Sequence, residues 1–353
     1  MGGDGDILFE DTGALGRITL NRPGVLNALT LEMARRLDAR LVEWGADGRI
    51  GAVVIEGAGG RAFCAGGDIR ALYEAMGRPG DPLPVEFYRD EYVLTHRVFS
   101  FPKPYIALID GVVMGGGVGV SVHGSHRVAT ENLLFAMPET GIGLFPDVGG
   151  TYFLSRMPGG LGMYLALVGA RLGAADALYC GVATHHVPRE RLADLAAALA
   201  ATPFGGDARG AASAAIARFA ADPGPPPLAD HRAEIDRCFA AGSVEEIIAA
   251  LAADGGEWAK ATLAVIETKS PTSLKVTHRQ LREGARLDFA AAMRLEYRLS
   301  QRFCAGHDFA EGVRAAVIDK DAAPKWRPDR LEEVTPAAVD AYFAPLAGGD
   351  LVL

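Results

Sequence analysis

Short apolar runs alternate with stretches in which apolar residues recur every three or four positions. The compact runs predict buried strands at Ile7 to Phe9, Leu15 to Leu20, Ala52 to Ile55 and Tyr105 to Ile109. Thr30 caps a predicted helix, and Val85 to Phe99 predicts another amphipathic helix. The apolar stripe of the first helix is Leu31, Ala34, Leu37, Leu41 and Trp44. A predicted turn at Asp11 to Gly13 joins the first two strands. This alternation predicts an α/β architecture with functional residues on the loops after strands.

The pattern changes after Val187-Pro188 and becomes helical and rich in alanine. Residues 222–227 (DPGPPP) cannot continue a helix and indicate a linker. Ser243 and Glu246 form a capping-box pattern that opens a helix through Leu251, and Leu287 to Phe303 predicts a longer amphipathic helix. We therefore predict two parts, an α/β core over residues 1–190 and a helical region over residues 191–353.

Composition and charge narrow the class of function. Of the 353 residues, 49% are hydrophobic and 22% charged, as in a globular protein with a sizeable core. A net charge of −9 disfavours general binding to nucleic acid or to an anionic membrane. No apolar run of about 18 residues predicts a membrane span. The four cysteines form no CxxC pair, and the first six residues lack the pattern of a targeting segment, so we expect a cytoplasmic protein.

Two glycine-rich loops follow predicted strands, at residues 63–68 (FCAGGD) and 111–119 (GVVMGGGVG). Because glycine has no Cβ, backbone N–H groups in such loops can approach a ligand closely. A helix that begins at the second loop would add the positive end of its dipole. Two N–H groups that converge on one carbonyl oxygen would form an oxyanion hole. The alternative is that the glycines serve only tight turns and close helix packing.

Residues 137–150 (MPETGIGLFPDVGG) contain two carboxylates, Glu139 and Asp147, among apolar residues and glycines. Such surroundings raise the pKa of a carboxyl group, which suits a general acid or base near neutral pH. The alternative is that both carboxylates are caps at loop ends, exposed to water.

The remaining polar motifs favour packing roles. His123 and His126 have no acidic neighbour at the spacing of a metal site, so no metal site is predicted. Ser121 lacks the second glycine of a nucleophile elbow, because His123 occupies that position. A serine hydrolase is therefore disfavoured.

Taken together, several motifs resemble the crotonase (enoyl-CoA hydratase/isomerase) superfamily. In chain order they are residues 21–23 (NRP), 26–29 (LNAL), 62–69 (AFCAGGDI) and 114–117 (MGGG). The resemblance is closer still to the 3-hydroxyisobutyryl-CoA hydrolase branch. It is carried there by residues 135–140 (FAMPET), 142–150 (IGLFPDVGG), 270–275 (SPTSLK), 293–301 (MRLEYRLSQ) and 308–326 (DFAEGVRAAVIDKDAAPKW). The resemblance implies a crotonase-type spiral of ββα units, with an acyl-CoA site in the core that the helical C-terminal region covers.

The resemblance also implies roles for individual residues. The backbone N–H groups of Gly67 and Gly116 would form the oxyanion hole for a thioester carbonyl, and Glu139 would be the catalytic glutamate. Asp147 and Glu91 fall on positions that this branch places around the substrate. The contacts implied for the adenine are Leu26, Ala28 and Ala65, and Arg70 is the implied phosphate partner. No metal or redox cofactor is implied, because CoA belongs to the substrate.

Gly119 separates this chain from the hydratases, which carry a second glutamate at the matching position. Without that carboxylate, hydration lacks one of the two groups that activate water. Hydrolysis needs only a polarised carbonyl and one carboxylate that attacks it or activates water. This chemistry favours hydrolysis of an acyl-CoA thioester, and the resemblance implies that the substrate is a short 3-hydroxyacyl-CoA, namely 3-hydroxyisobutyryl-CoA in valine degradation. Two alternatives remain. One is an enoyl-CoA hydratase or isomerase for another acyl group, and the other is a non-catalytic member that binds acyl-CoA or a protein. The state of association, a trimer or a monomer, is open.

Overall fold

Nine strands lie in residues 5–353, the part of the chain that the computed structural model describes. They are β1 (Ile7–Thr12), β2 (Leu15–Leu20), β3 (Ala52–Gly57), β4 (Ala62–Cys64), β5 (Tyr105–Ile109), β6 (Val112–Met114), β7 (His126–Ala129), β8 (Leu134–Ala136) and β9 (His185–His186). One sheet has six strands in the order β1-β2-β3-β5-β7-β9, and a second has the order β4-β6-β8. In the larger sheet β1 pairs antiparallel with β2, and the later pairs are parallel.

Sixteen α-helices occur over the same described range. They are α1 (Leu31–Ala46), α2 (Ile69–Met76), α3 (Leu83–Ser100), α4 (Gly116–Gly119), α5 (Gly150–Phe153), α6 (Leu161–Val168), α7 (Ala174–Tyr179), α8 (Leu192–Ala200), α9 (Ala208–Ala217), α10 (Arg232–Phe239), α11 (Val244–Asp254), α12 (Glu257–Ile266), α13 (Pro271–Gly284), α14 (Phe289–Ala305), α15 (Asp308–Val313) and α16 (Pro336–Phe343). None of these helices has the length and apolar character needed to span a bilayer.

The strands and helices predicted from local patterns are confirmed, with small shifts at their ends. Strand β1 continues to Thr12, so the first turn lies at Gly13 and Ala14, where Gly13 takes a φ of +63°. Thr30 caps α1 by accepting a hydrogen bond from the Met33 backbone N–H. Leu31 is half-buried, and Met33 takes its place in the buried stripe.

The predicted absence of a targeting segment concerns residues 1–6, of which 1–4 lie outside the described residues.

One compact unit, here called the sheet unit, contains the six-stranded sheet with helices on both faces. Its described part is residues 5–67, 93–135 and 172–227. Helix α1 packs on one face so closely that a Cβ on Gly16 would lie 2.8 Å from the Trp44 ring. On the other face, Leu15 packs in a buried cluster with Leu195 of α8 and Ile216 of α9. Burial on both faces explains why the central strands are apolar throughout.

The other compact unit, here called the helical unit, is built almost entirely from helices. It consists of residues 68–92, 136–171 and 228–353. Side chains cap its long helices, as the Ser243 hydroxyl does for α11 by accepting from the Glu246 N–H at 3.1 Å. Ser270 and Asp288 cap α13 and α14 in the same way. Such caps supply acceptors for the first N–H groups of each helix.

The predicted boundary at residue 190 follows the end of the strands, since β9 is the last strand in the described residues. The two compact units follow a different division, because each combines three separate stretches of chain. Residues 136–171, which carry Glu139 and Asp147, belong with the C-terminal helices. The physical reason is close packing: a Cβ on Gly312 of α15 would lie 2.3 Å from the Ile142 carbonyl oxygen.

Candidate active site

The two glycine-rich loops lie in the sheet unit and contact each other. Strands β4 and β6, which lead into them, pair in parallel. Helix α4 packs on β4 so tightly that a Cβ on Gly117 would lie 2.2 Å from the Cys64 carbonyl oxygen. A Cβ on Gly66 would lie 4.0 Å from the Gly116 nitrogen. The glycines therefore do serve close packing, and that packing brings the two loops together.

Gly116 is the first residue of α4, and the N–H groups in the first turn of a helix have no acceptor within the helix. The residue before it, Gly115, has φ 46° and ψ −126°, a conformation that favours glycine. Gly67, on the other loop, forms an isolated parallel bridge with Leu29.

The residues expected near an adenine lie together in the same unit. The Ala65 N–H donates to the Leu26 carbonyl oxygen at 3.0 Å, and the Leu29 N–H donates to the Gly66 carbonyl oxygen at 2.8 Å. Residues 26–29, which include Ala28, therefore run beside residues 65–67.

Asn27 binds residues 26–29 to the backbone on either side of the turn between β3 and β4, a role that the sequence did not assign. It is fully buried, and its Nδ2 donates to the carbonyl oxygens of Ala58 and Ala62, each at 2.9 Å. Its Oδ1 accepts from the Arg22 N–H at 2.9 Å. Its φ of +57° is a left-handed conformation that asparagine tolerates better than most residues. The signal in the sequence was an asparagine inside an otherwise apolar motif.

Four of the buried carboxyl groups in the helical unit are almost inaccessible to solvent. Glu91 is on α3, Glu139 begins a 3-10 helix (Glu139–Ile142), Asp147 is in the loop before α5, and Glu296 is on α14. The most exposed of the four is only 4% exposed. The alternative that Glu139 and Asp147 are water-exposed caps is therefore wrong.

Burial raises the pKa of each of these carboxyl groups, because a charge loses its hydration there. For Asp147 the pKa rises to about 7, although the Tyr92 hydroxyl donates to its Oδ2 at 2.8 Å and favours the charged form. The pKa of Glu139 lies well above its usual range, through burial and then the negative charge of Asp147. The pKa of Glu91 is raised by burial and by Asp147 and Glu296. Burial raises the pKa of Glu296 to about 8.

The segment that carries Glu139 is fixed by the C-terminal helices. The Thr140 hydroxyl donates to the Leu167 carbonyl oxygen of α6 at 3.1 Å, and the Ser270 N–H donates to the Thr140 carbonyl oxygen at 3.2 Å. The Ser270 hydroxyl in turn donates to Asp308 of α15 at 2.6 Å. Within the described part of the chain, Oε2 of Glu139 is buried without a hydrogen-bond partner. This oxygen therefore keeps its capacity to accept a hydrogen bond.

The sequence-predicted site residues thus fall into two groups. The sheet unit contains Gly67, Gly116, Leu26, Ala28 and Ala65, and the helical unit contains Glu91, Glu139, Asp147 and Arg70. Arg70 is exposed on α2, and its Nη2 donates to the Val317 carbonyl oxygen at 3.1 Å. Among the described residues, no group of three or more His, Cys, Asp or Glu side chains is arranged to hold a metal ion.

We expect the free energy of unfolding of the wild type to fall relative to that of Asp147→Asn as the pH rises from about 4 to about 8. Burial raises the pKa of Asp147 to about 7 in the folded protein, whereas the unfolded chain releases this proton near the ordinary aspartate pKa of 3.8. The stabilisation is therefore complete below the unfolded pKa and is lost as the pH rises through the folded pKa. Within this window each pH unit changes the difference by at most about 1.4 kcal/mol. Urea unfolding of both proteins at several pH values measures the difference, and a pH-independent difference would contradict this expectation.

A model of the enoyl-CoA hydratase/isomerase family matches residues 15–343, and the chain belongs to this family. The mitochondrial 3-hydroxyisobutyryl-CoA hydrolase of Xenopus tropicalis is 50% identical over 99% of this chain and 91% of that protein. The protein of the same name from Homo sapiens is 48% identical over 98% of this chain and 90% of that protein. These relatives are named mitochondrial, which contradicts the prediction of a cytoplasmic protein.

Solved structures confirm the predicted crotonase-type fold. A carnitinyl-CoA dehydratase from Mycobacterium thermoresistibile has a TM-score of 0.91 at 43% identity, with 98% of each chain covered. An enoyl-CoA hydratase from Rhodobacter sphaeroides has a TM-score of 0.88 at 40% identity, with 99% of this chain and 100% of that chain covered.

Proposed function

We propose that this chain hydrolyses 3-hydroxyisobutyryl-CoA to 3-hydroxyisobutyrate and CoA, and that it does so in valine degradation. The observation that carries the proposal is the buried Glu139, whose Oε2 has no hydrogen-bond partner among the described residues and whose segment is hydrogen-bonded to Leu167 and Ser270. The choice of acyl group is supported by relatives of this name that are about 50% identical over nearly the whole chain.

In this proposal the N–H groups of Gly67 and Gly116 bind the thioester carbonyl oxygen and stabilise the negative charge that develops on it. The Glu139 carboxylate attacks the carbonyl carbon, a C–O bond forms, the C–S bond breaks, and CoA leaves as a thiolate that takes up a proton. Water then hydrolyses the mixed anhydride, which releases 3-hydroxyisobutyrate and restores the carboxylate. Burial raises the pKa of Glu139, so only its ionised fraction attacks, but that poorly hydrated carboxylate is a more reactive nucleophile.

A general-base route uses the same residues, with Glu139 taking a proton from the water that attacks the carbon. The two routes differ in whether Glu139 becomes acylated. Rapid quenching of the reaction with hydroxylamine, followed by mass analysis of the peptide that contains Glu139, would convert this residue to a hydroxamate only in the covalent route.

The other predicted residues complete the proposal. Leu26, Ala28 and Ala65 contact the adenine. Arg70 binds a phosphate through the guanidinium N–H groups that do not take part in its hydrogen bond to the Val317 carbonyl oxygen. Glu91 lies beside the acyl group.

Asp147→Asn is expected to lower kcat for 3-hydroxyisobutyryl-CoA by about 10–100-fold, while the Kd for CoA stays nearly unchanged. We propose that Asp147 accepts a hydrogen bond from the substrate hydroxyl or from the attacking water, and a hydrogen bond to a charged group contributes about 1.5–3 kcal/mol. Steady-state kinetics and calorimetric binding of CoA measure the two quantities. Asp329→Asn removes an exposed carboxylate and serves as the matched control. Equal kcat values for Asp147→Asn and wild type would assign Asp147 to structure alone.

Hydration of an enoyl-CoA is the second candidate function, favoured by the names of the two solved structures. Against it, α4 ends at Gly119 and its residues are three glycines and Val118, so this helix carries no carboxylate. A hydratase that uses two carboxylates would need one there.

A panel of acyl-CoA thioesters separates the two functions. Hydrolysis releases a free thiol that a disulfide reagent detects, whereas hydration or dehydration changes the enoyl absorbance without releasing thiol. We expect thiol release to be fastest with 3-hydroxyisobutyryl-CoA. A change in enoyl absorbance without thiol release would overturn the hydrolase proposal.

A further inference from the structure

The loop after Asp147 has a backbone that neighbouring groups must hold in place. Val148 has a φ of +46°, a left-handed conformation that β-branched residues avoid. A strained residue of this kind persists only where the surrounding structure enforces it, and such residues cluster at functional sites. The following Gly149 has a φ of +90° and caps α5.

Glu296 of α14 binds this loop directly. Its Oε2 accepts from the Gly149 N–H at 2.8 Å, and its Oε1 accepts from the Thr151 N–H at 2.9 Å. The Glu296 side chain is fully buried. Each oxygen therefore binds a different backbone N–H group, on the C-terminal side of Asp147.

A second helix also binds this loop. Gln280 of α13 donates from its Nε2 to the Pro146 carbonyl oxygen and to the Thr151 hydroxyl, each at 2.7 Å. The backbone immediately before Asp147 and the backbone after it are thus both bound by buried side chains of the C-terminal helices.

We propose that Glu296 is a positioning residue for the reaction, which fixes the loop that presents Asp147 through its hydrogen bonds to Gly149 and Thr151. Each N–H group points at a different oxygen of Glu296, and a glutamine would present its NH₂ group, which cannot accept, to one of them. Burying a carboxylate close to another carboxylate is costly, and an apolar residue would stabilise a helix core at least as well. We explain the free-energy cost of burying this carboxylate by the need to fix the position of the loop, at the expense of some stability of the core.

This inference rests on the proposed role of Asp147 in hydrolysis. Its test is a double-mutant cycle with Glu296→Gln, Asp147→Asn and the double variant, with kcat and KM measured on 3-hydroxyisobutyryl-CoA. We expect Glu296→Gln to lower kcat about tenfold or more and to leave KM within about threefold. In the Asp147→Asn background, Glu296→Gln should alter kcat by less than about threefold, because the carboxylate that Glu296 positions is already absent.

Ser300→Ala is the matched control, since Ser300 is fully buried on the same helix and its hydroxyl donates to the Tyr297 carbonyl oxygen. We expect it to leave kcat unchanged. Multiplicative effects of Glu296→Gln and Asp147→Asn, or an equal loss of kcat in Ser300→Ala, would overturn the inference and assign Glu296 to structure. If Glu296→Gln does not fold, Glu296→Asp enters the same cycle, because it keeps the carboxyl group but is one methylene too short to bind both N–H groups.

A second measurement separates this inference from the proposed function. Hydrogen exchange of the peptide over residues 147–153 should accelerate in Glu296→Gln and not in Ser300→Ala. A wild type that releases no thiol from 3-hydroxyisobutyryl-CoA would refute the proposed function, whereas unchanged exchange in Glu296→Gln would refute the positioning role on its own.

Discussion

Glu139→Gln is expected to reduce the rate of thioester hydrolysis by about 10²–10⁴-fold while CoA binding is nearly unchanged. Glutamine has almost the same shape as glutamate, but its amide neither attacks a thioester nor accepts a proton from water. The fold should survive, because burial and Asp147 already disfavour the charged form of Glu139 and a neutral amide resembles the protonated acid. Thiol release and calorimetric titration with CoA measure the two quantities.

The control is Glu257→Gln, which removes a glutamate from α12 whose side chain is 98% exposed. It should hydrolyse the substrate at the wild-type rate. If Glu139→Gln turned over as fast as wild type, Glu139 would be neither nucleophile nor base, and the hydrolytic mechanism proposed for this chain would fail.

Local features of the structure could be predicted from the sequence because they depend on neighbours in the chain. The apolar period of α1 and its cap at Thr30 are both confirmed. The burial of Glu139 and Asp147 was one of two alternatives, suggested by the apolar residues and glycines around them. It is the correct one, since each is 4% exposed.

The residues that the sequence missed act across long distances in the chain. Glu296 binds the Gly149 N–H over a separation of 147 residues, and the Asn27 amide binds the Ala62 carbonyl oxygen over 35 residues. Helical periodicity places Glu296 on an amphipathic helix but does not say which loop meets that helix. Glu91 was identified only through the family resemblance, because a glutamate on a helix with several other charges has no distinguishing local pattern.

The division of the chain into two compact units could not be predicted from the sequence for the same reason. The sequence marks residue 190 because the periodicity of the chain becomes purely helical there. Which stretches pack together depends instead on contacts such as that of Ser270 with the Glu139 segment, where the Ser270 N–H binds the Thr140 carbonyl oxygen. The Glu139 segment therefore belongs with the C-terminal helices although it precedes the boundary by about 50 residues.

Gly116→Pro is expected to reduce hydrolysis by about 10²–10³-fold, because it removes one N–H donor of the proposed oxyanion hole. Residue 116 is the first residue of α4, the position at which a helix tolerates proline best, since its N–H makes no intrahelical hydrogen bond. The loss of rate should therefore arise from the missing donor rather than from a broken helix. Steady-state kinetics on 3-hydroxyisobutyryl-CoA measure the rate, and circular dichroism establishes that the variant is folded.

Gly116→Ala is the matched control, because alanine changes the same position and keeps the N–H group. We expect the alanine variant to retain at least about a tenth of the wild-type rate, so that the proline variant is at least about tenfold slower than alanine. Equal rates for the two variants would show that bulk at position 116, and not the donor, limits the reaction. A folded proline variant with wild-type kcat would remove Gly116 from the oxyanion hole and leave its loop with the packing role that Gly117 already has against Cys64.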